Sequence, residues 1–377
     1  MNVDRGAGDG GHERLRGEPE RRREADGGGD REAGGSGASG ASASGTPRLH
    51  LAPSPHIHSP DSTPRIMWTV VATLVPVIAA STWFFGLSAL LVLAAATLGC
   101  FIVERTLGER GSVGDGSAVI TGLLLGLTLP AGIPLWMAFL GGAFAIGFGK
   151  LIFGGLGQNI FNPALLGRAF LQAAFPTALT TWPALAERWT HIYASNLALP
   201  LLSPGKVDVV TMATPLGLMK FEHQGTDLLK LAIGNTGGSL GETAGVLILV
   251  CGAYLAWKRY LNWRIPVAIF AAVAALSALL HAVRPSLPGA PFMLLSGGLI
   301  LGAVYMATDM VTSPVTNLGS WIFGLGIGLI TVVIRLWGGL AEGVMYSILF
   351  MNALVPFIDQ ATRPATFGTR AARKETA

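Results

Sequence analysis

Three polar residues with regular spacing, Asp208, Thr211 and Thr214, lie in the longest polar interval between the apolar runs of this 377-residue chain. Pro215 follows Thr214 directly, and a proline moves the residue before it out of the α region. We therefore predict that Thr214 is extended and presents its hydroxyl on a loop or tight turn. Such a hydroxyl is a candidate for chemistry, although a solvated loop with local threonine hydrogen bonds explains the same spacing.

Two further stretches combine glycine with polar side chains beside apolar runs. Residues 114–117, Gly-Asp-Gly-Ser, predict either a helix N-cap or a set of amides that holds a phosphate or an isoalloxazine carbonyl. The glycine-rich residues 154–163 predict either a packed re-entrant turn or a cofactor contact, because non-helical backbone at membrane depth needs cover. Arg168 follows within a predicted helix, where it needs an anionic partner or a route to the interface.

Two acids lie at the ends of apolar runs. Asp309 is interpreted either as a capping or interfacial residue or as a contact to a cation or a flavin ring. Glu342 precedes Gly343 at an expected helix start, where the helix dipole favours an acid. Cys100 and Cys251 have no CxxC neighbour and the seven histidines show no ligand-like pairing, so no metal site is predicted. Without an HExxH, kinase or Ser-His-Asp signature, we assign no catalytic residue.

The composition is that of a protein that spans a membrane many times. Hydrophobic residues make up 51% of the chain and charged residues only 13%, about half the charge of a soluble domain. The formal net charge of +4 does not call for nucleic acid as a partner, because basic residues gather at the cytoplasmic ends of membrane spans. The expected surroundings are membrane lipid.

Apolar runs near membrane-spanning length predict an all-α polytopic membrane protein of about ten transmembrane helices. The runs are 66–84, 87–103, 117–130, 133–153, 161–176, 243–257, 265–283, 291–308, 319–337 and 341–357. They divide the chain into a disordered tail (1–64), a first helix block (65–176), a long loop (177–242), a second block (243–358) and a C-terminal tail (359–377).

Basic residues predict that both termini are cytoplasmic. Lys and Arg concentrate in alternate connections, among them Arg105, Lys150 and Lys258, and in the C-terminal tail, whereas among the other short connections only Arg284 is basic. The loop at 177–242 then lies on the outer face. Five runs on each side of it indicate two related halves, and Asn162-Pro163-Ala164 is weakly echoed by Asn352-Ala353.

Many spaced motifs together resemble one family, the D subunits of Rnf electron-transport complexes, which is shared with the B subunit of the sodium-pumping NADH:quinone reductase. The resemblance covers about residues 54–368. The matching segments begin at Ser54, Arg65, Asp115, Gly157, Asn162, Thr211, Ala307, Thr312, Glu342, Met351 and Thr362.

The resemblance implies a specific cofactor and setting. Thr214 would carry FMN through a phosphoester bond made by a flavin transferase, with Thr211 and Asp208 in the recognition motif; Met212 stands where sodium-pump relatives usually have Gly. The sodium-pump relatives also hold a riboflavin without a covalent bond. The implied partners are the other Rnf subunits, A, B, C, E and G. The implied task is electron relay between ferredoxin and NAD in a bacterial inner membrane, coupled to Na⁺ or H⁺ translocation.

Two other hypotheses stay open from the sequence. The chain could be the homologous B subunit of the quinone-reducing pump, although its Ser54-Pro55-His56 lead-in favours the Rnf subunit. A solute channel or transporter without a redox cofactor would show the same series of apolar runs and the same two halves. Bound flavin distinguishes the last hypothesis from the others.

Overall fold

The computed structural model describes residues 61–108, 112–186, 188–200, 212–234, 236–242 and 245–364. Every regular element in these residues is helical, which confirms the predicted all-α class. The predicted tails 1–64 and 359–377 fall largely outside the described residues.

The helices follow one another in two blocks with short helices between them. The first block contains α1 (Thr63–Phe85), α2 (Leu87–Leu107), α3 (Ser117–Leu127), α4 (Leu135–Ile146, continued by the π-helical Gly147–Leu151) and α5 (Pro163–Ala174). The connection contains α6 (Pro176–Thr180), α7 (Pro215–Gly217, continued by the π-helical Leu218–Glu222) and α8 (Leu228–Ile233). The second block contains α9 (Gly245–Trp257), α10 (Arg264–Val283), α11 (Ala290–Leu295), α12 (Leu299–Leu301, continued by the π-helical Gly302–Met306), α13 (Asn317–Trp337) and α14 (Val344–Thr362).

The lengths of these helices separate two kinds of apolar segment. Helices α1, α2, α10, α13 and α14 are long and apolar enough to cross a membrane, whereas α3, α9 and α4 with its continuation are shorter apolar helices. The predicted span 291–308 is wrong as a single helix, because the chain breaks between α11 and α12. Gly297 adopts a left-handed φ of 67° at the break, a conformation that glycine reaches without a Cβ penalty.

The two blocks share a packing order. Helix α2 packs along α4 in the first block, and α10 packs along α13 in the second. Helix α4 then contacts α5, as α13 contacts α14, while α1–α9 and α5–α14 contacts join the blocks. This correspondence of helix contacts supports the two related halves that the sequence indicates.

Glycine allows the closest helix contact of the second block. A Cβ added to Gly324 or Gly328 on α13 would lie 2.7 Å or 2.8 Å from the carbonyl oxygens of Ile265 and Ile269 on α10. Small residues four apart on one helix face let backbones approach where lipid provides no hydrophobic driving force between helices. Backbone contact at these glycines therefore sets the spacing of α10 and α13.

Each block has a buried cation near the end of one helix, Lys150 in the continuation of α4 and Arg335 on α13. Lys150 Nζ donates to Glu104 Oε1 at 2.5 Å and to Ser117 Oγ at 2.6 Å, where α3 begins. Arg335 donates to the carbonyls of Met293 (2.6 Å) and Ser296 (2.9 Å), at the end of α11. Each cation thus satisfies polar groups where the third segment of its block starts or breaks, which non-helical backbone at membrane depth requires.

The burial of Lys150 corrects its assignment to a cytoplasmic connection. Its side chain is 3% exposed and that of Glu104 is fully buried, so the pair is enclosed by protein. Counting Lys and Arg assigns a lysine at the end of an apolar run to a loop. It takes no account of an acid on a neighbouring helix that can pair with the lysine. The predicted topology therefore loses Lys150 as one of its supports.

Removing one member of this pair leaves the other charge buried without a partner. We expect Lys150→Met to lower the unfolding free energy by about 3–5 kcal/mol. The measurement is the thermal unfolding of the full chain in detergent. The double variant Lys150→Met/Glu104→Leu is expected to recover most of the loss, and equal instability of the single and double variants would contradict the ion-pair explanation.

Candidate functional site

Thr214 occupies the N-cap of α7 in the predicted extended conformation, with φ −67° and ψ 152°. Its Oγ1 accepts a hydrogen bond from the Gly217 N–H at 3.1 Å, and its side chain is partly exposed. Pro215 at the first helical position produces both features, since it excludes helical geometry before it and begins the helix itself. The hydroxyl is therefore held in one place while it stays reachable.

Contacts on both sides of Thr214 fix residues 212–222, which we call the Thr214 segment. Before it, the Met212 N–H donates to the Trp182 carbonyl at 2.9 Å. After it, Leu216 is 5% exposed and packs in a small apolar cluster with Leu231 and Phe292. The segment is therefore docked against the helical body.

Lys220 forms the strongest of these attachments. Its Nζ donates to the carbonyl oxygens of Ile334 (3.2 Å), Gly338 (2.6 Å) and Leu340 (2.8 Å). These carbonyls belong to the end of α13 and the connection to α14; that of Ile334 also accepts the Gly338 N–H, at the C-terminal end of the helix. A positive charge also complements the negative end of the α13 dipole. Lys220 thus clamps the Thr214 segment to the second block.

Thr214 faces a cavity that we call the Thr214 cavity, with about 660 Å³ of empty space. Three of its lining side chains are charged, namely Arg168, Glu242 and Glu342, and Trp182 and Tyr346 are aromatic. The remaining lining residues are Gln172, Leu179, Thr180, Pro215, Leu216, Gly297, Leu340, Ala341 and Met345. The cavity thus combines apolar and aromatic surface with a few charged groups, as ligand sites do.

An ion pair between the first and the second helix block lines this cavity. Arg168 Nη2 on α5 donates to Glu342 Oε2 at 2.7 Å, which confirms the anionic partner predicted for this arginine. Glu342 Oε1 accepts from the Gly298 N–H at 2.5 Å. A Cβ at Gly298 would lie 2.9 Å from the same oxygen, so glycine is needed at this position for the carboxylate to approach. Glu342 is therefore more than a residue that complements the dipole of α14.

Glu242 completes a cluster of four charged side chains with Arg168, Glu342 and Arg335. Its Oε1 accepts from Ser239 Oγ at 2.8 Å, and its carboxyl lies beside that of Glu342 at the same cavity. The buried Nε atoms of Arg168 and Arg335 have no hydrogen-bond partner within the described residues. Arg168 thus retains one donor that the surrounding protein does not satisfy.

A second cavity, which we call the Asp309 cavity, lies near the N-terminal end of α5 and has about 830 Å³ of empty space. Asn159, Asn162, Lys150, Tyr260 and Asp309 give it polar groups. Its apolar lining includes Ile66, Met67, Val70, Leu124, Leu255 and Leu261. Ala164 near the start of α5 lines this cavity, whereas Arg168, one turn further along, lines the Thr214 cavity.

Several candidate residues of the sequence have structural roles in turns and caps. Asp115 Oδ1 accepts from the Ser117 N–H at 2.8 Å, as expected of a residue that caps α3. Asn162 Oδ1 accepts from the Ala164 N–H at 3.0 Å and caps α5. Asp309 accepts from Thr312 Oγ1 at 3.2 Å in a local turn, and it also lines a cavity.

The two asparagines whose motifs echo each other in the sequence lie together. In the orientation that satisfies its neighbours, the Asn352 amide oxygen accepts from the Asn162 N–H at 3.1 Å. The Asn162 amide donates in turn to the Met306 carbonyl at 3.1 Å, where the π-helical end of α12 leaves carbonyls free. The pair therefore connects α5, α12 and α14.

Two of the three predicted flavin-site residues, Asp208 and Thr211, lie outside the described residues, and Thr214 is described. Sequence reasoning missed Glu242 and Lys220 as contributors to the site. A signal was available for Glu242, because an acid beside an apolar run is a functional candidate by default. Lys220 gave no comparable signal, since its acceptors are backbone carbonyls far along the chain.

Comparison with known proteins agrees with this arrangement. Residues 50–368 match the family described as NQR2, RnfD, RnfE. The chain belongs to this family. Its match includes the Thr214 segment, both cavities and both helix blocks, and it spans nearly the same residues as the resemblance seen in the sequence.

Several relatives are named as D subunits of ion-translocating complexes. The chain is 42% identical to the D subunit of the proton-translocating ferredoxin:NAD(+) oxidoreductase complex of Clostridium ljungdahlii, over 85% of this chain and 96% of the relative. It is 38% identical to the D subunit of the Na(+)-translocating ferredoxin:NAD(+) oxidoreductase complex of Acetobacterium woodii, over 87% and 98%. It is also 39% identical to the D subunit of the ion-translocating oxidoreductase complex of Stutzerimonas stutzeri, over 83% and 94%.

The clamp formed by Lys220 makes a measurable contribution to the order of the Thr214 segment. Hydrogen bonds from a charged donor contribute about 1.5–3 kcal/mol, so Lys220→Met is expected to speed amide hydrogen exchange in residues 215–222 roughly tenfold to a hundredfold. Hydrogen exchange with mass spectrometry on the full chain in detergent measures this. The matched control is Lys230→Met, at an exposed lysine of α8, which should leave the exchange in 215–222 unchanged. Equal exchange in wild type and Lys220→Met would contradict the clamp.

Proposed function

We propose that this chain is the D-type membrane subunit of an ion-translocating ferredoxin:NAD(+) oxidoreductase complex and that it relays electrons through FMN bound covalently to Thr214. The observation that carries the proposal is the position of the Thr214 hydroxyl, which is reachable, held at an N-cap and directed to a cavity that contains Arg168. The D-type names of relatives that match more than four fifths of the chain support the choice of complex.

The residues of the Thr214 cavity fit a flavin. Its lining combines apolar and aromatic surface with a few charged groups, as small-molecule sites do. Trp182 and Tyr346 offer aromatic surface to a planar ring, and Arg168 offers a positive charge to a phosphate or ring oxygen. A bound FMN supplies reversible electron transfer, while the protein supplies orientation and charge.

Attachment requires an accessible hydroxyl outside the bilayer, and the partly exposed Thr214, between the two helix blocks, supports this position. We assign Asp208 and Thr211 to the recognition motif of a flavin transferase, with Thr214 Oγ1 as the atom that forms the phosphoester bond. A bond at the phosphate leaves the isoalloxazine ring unmodified. The fixed segment then places the tethered group beside the Thr214 cavity, and Lys220 limits how far it moves.

The Asp309 cavity is our proposed site for a second flavin, a riboflavin held without a covalent bond. Its apolar residues surround a few polar groups that include Asn159 and Tyr260, a composition that suits a planar ring system. Helix α5 lines this cavity near its N-terminus and the Thr214 cavity further along, so the two flavins would lie beside one short helix. Such an arrangement suits electron relay within a single polypeptide.

The proposed setting is a bacterial inner membrane, with the other Rnf subunits A, B, C, E and G as partners and lipid around the complex. Both termini are proposed to be cytoplasmic, and the Thr214 segment is proposed to lie on the periplasmic face.

Large apolar side chains on the long helices are exposed on the isolated chain, and neighbouring proteins or lipid would cover them; they include Trp83, Val283, Leu318, Trp337 and Phe357. The relative named as proton-translocating is 42% identical to the chain and the one named as Na⁺-translocating is 38% identical. Sequence identity therefore does not distinguish H⁺ from Na⁺ as the translocated ion.

Covalent flavin is tested by fluorescence of the denatured chain. After expression with a flavin transferase and separation in SDS, wild-type protein is expected to fluoresce under ultraviolet light, and Thr214→Val is expected to be dark. The matched control, Thr211→Val, keeps the acceptor hydroxyl and should retain at least part of the signal. A dark wild-type band, with the transferase active on another substrate, would support the transporter hypothesis instead.

The second flavin is tested in the Thr214→Val background, where no covalent flavin can form. Acid denaturation of this purified variant in its complex is expected to release riboflavin, which chromatography identifies. Replacement of Asn159 by Leu removes a polar group of the Asp309 cavity and should lower the released amount several-fold. Release of equal amounts from both proteins would place the second flavin elsewhere.

A further inference from the structure

The four-charge cluster at the Thr214 cavity contains two neighbouring carboxyl groups. Glu242 and Glu342 both line the cavity and interact with each other. An ionised carboxylate is only an acceptor, so two carboxyls share a hydrogen bond only when one of them carries a proton. Two like charges at one site also disfavour double ionisation, so the cluster favours one shared proton.

The surroundings of the two acids show which one is ionised. Glu342 receives the Arg168 guanidinium at 2.7 Å and the Gly298 N–H at 2.5 Å, both of which favour a carboxylate. Glu242 receives only the Ser239 hydroxyl besides Glu342. Burial, followed by the negative charge of Glu342, raises the pKa of Glu242 above its usual value. Glu242 therefore holds the proton at neutral pH.

The other charged groups that face the pair are two cations from different helices. Arg168 on α5 contacts Glu342, and Arg335 on α13 interacts electrostatically with both acids. With Glu242 protonated, the cluster carries two positive charges and one negative charge, a net charge of +1. Loss of the proton reduces the net charge to zero. The protonation of one carboxyl thus changes the net charge beside the Thr214 cavity by one unit.

We propose that Glu242 and Glu342 form a proton-binding site of the Thr214 cavity whose occupancy is linked to the charge of the group in that cavity. The linkage rests on the proposed function, in which the group is a flavin. An electron that reaches the flavin from the preceding carrier of the complex adds one negative charge there, and the proton on Glu242 balances it. Where Glu242 is ionised beforehand, at alkaline pH, the proton comes from water. By reciprocity, the proton raises the flavin's affinity for the electron by the same factor.

The proton itself is tested without any flavin. Infrared spectra of the full-length Thr214→Val chain should contain a carbonyl stretch of a protonated carboxylic acid that shifts in heavy water and disappears at alkaline pH. The Glu242→Gln difference spectrum should show loss of this band, and that of Glu342→Gln should show it shifted, because the remaining buried acid loses its carboxylate partner. The exposed Glu222→Gln is the matched control and should change nothing. An unaltered band in both pair variants would overturn the proton site.

The linkage is tested separately in the flavinylated complex. The reduction potential of the Thr214-bound flavin should fall with rising pH across the range where the pair titrates. One linked proton per electron changes the equilibrium constant tenfold per pH unit, about 59 mV for one electron. Glu242→Gln cannot titrate and should lose this part of the slope, whereas Glu222→Gln should keep it. Identical slopes in wild type and Glu242→Gln would overturn the linkage, and dark protein in the fluorescence assay would instead count against the flavin proposal.

Discussion

Ionised side chains inside this membrane protein persist only because each has a partner of opposite charge or a set of backbone dipoles. The ion pair between Arg168 and Glu342 is the most consequential case, since the arginine belongs to the first helix block and the glutamate to the second. The desolvation cost of either charge alone would be several kcal/mol. The requirement to satisfy both therefore brings the two blocks together at the Thr214 cavity. The break between α11 and α12 serves the same requirement, because it supplies the Gly298 N–H to Glu342.

The same contacts give the cavity its chemical character. Lys220 fastens the Thr214 segment to the end of α13, and the adjoining connection carries Glu342 to Arg168. A single stretch of backbone between α13 and α14 thus holds both the proposed attachment residue and the charged lining of the cavity. Helix α5 lines both this cavity and the Asp309 cavity. The proposed electron relay therefore depends on short helices and interrupted segments, while the long helices provide the frame.

Much of the frame is predictable from the sequence because hydropathy is a local property. The apolar runs correspond to helices, and Pro215 predicts the extended geometry of Thr214 through a clash between neighbouring residues. The break at Gly297 is not predictable in this way, since residues 290–306 are apolar almost throughout and the break depends on a distant Arg335 side chain. The burial of Lys150 is not predictable from the local sequence for a related reason, because its partner Glu104 lies on another helix.

The chemical role of the site was less accessible than its position. The spacing of Asp208, Thr211 and Thr214 is compatible with an ordinary loop, and only the ordered set of motifs along the chain indicated a flavin. Glu242 illustrates the limit most clearly. As a lone acid beside an apolar run it has no defined partner, and its relation to Glu342 exists only in the folded chain.

Mass spectrometry of one peptide tests most directly whether Thr214 is the covalent attachment point. Trypsin cleaves after Lys206 and Lys220, so residues 207–220 are released as a single peptide that contains both Thr211 and Thr214. In protein purified from its native membrane, we predict that this peptide carries the mass of an FMN phosphoester and that fragmentation places it on Thr214. An unmodified peptide, or a modification placed on Thr211, would contradict the assignment.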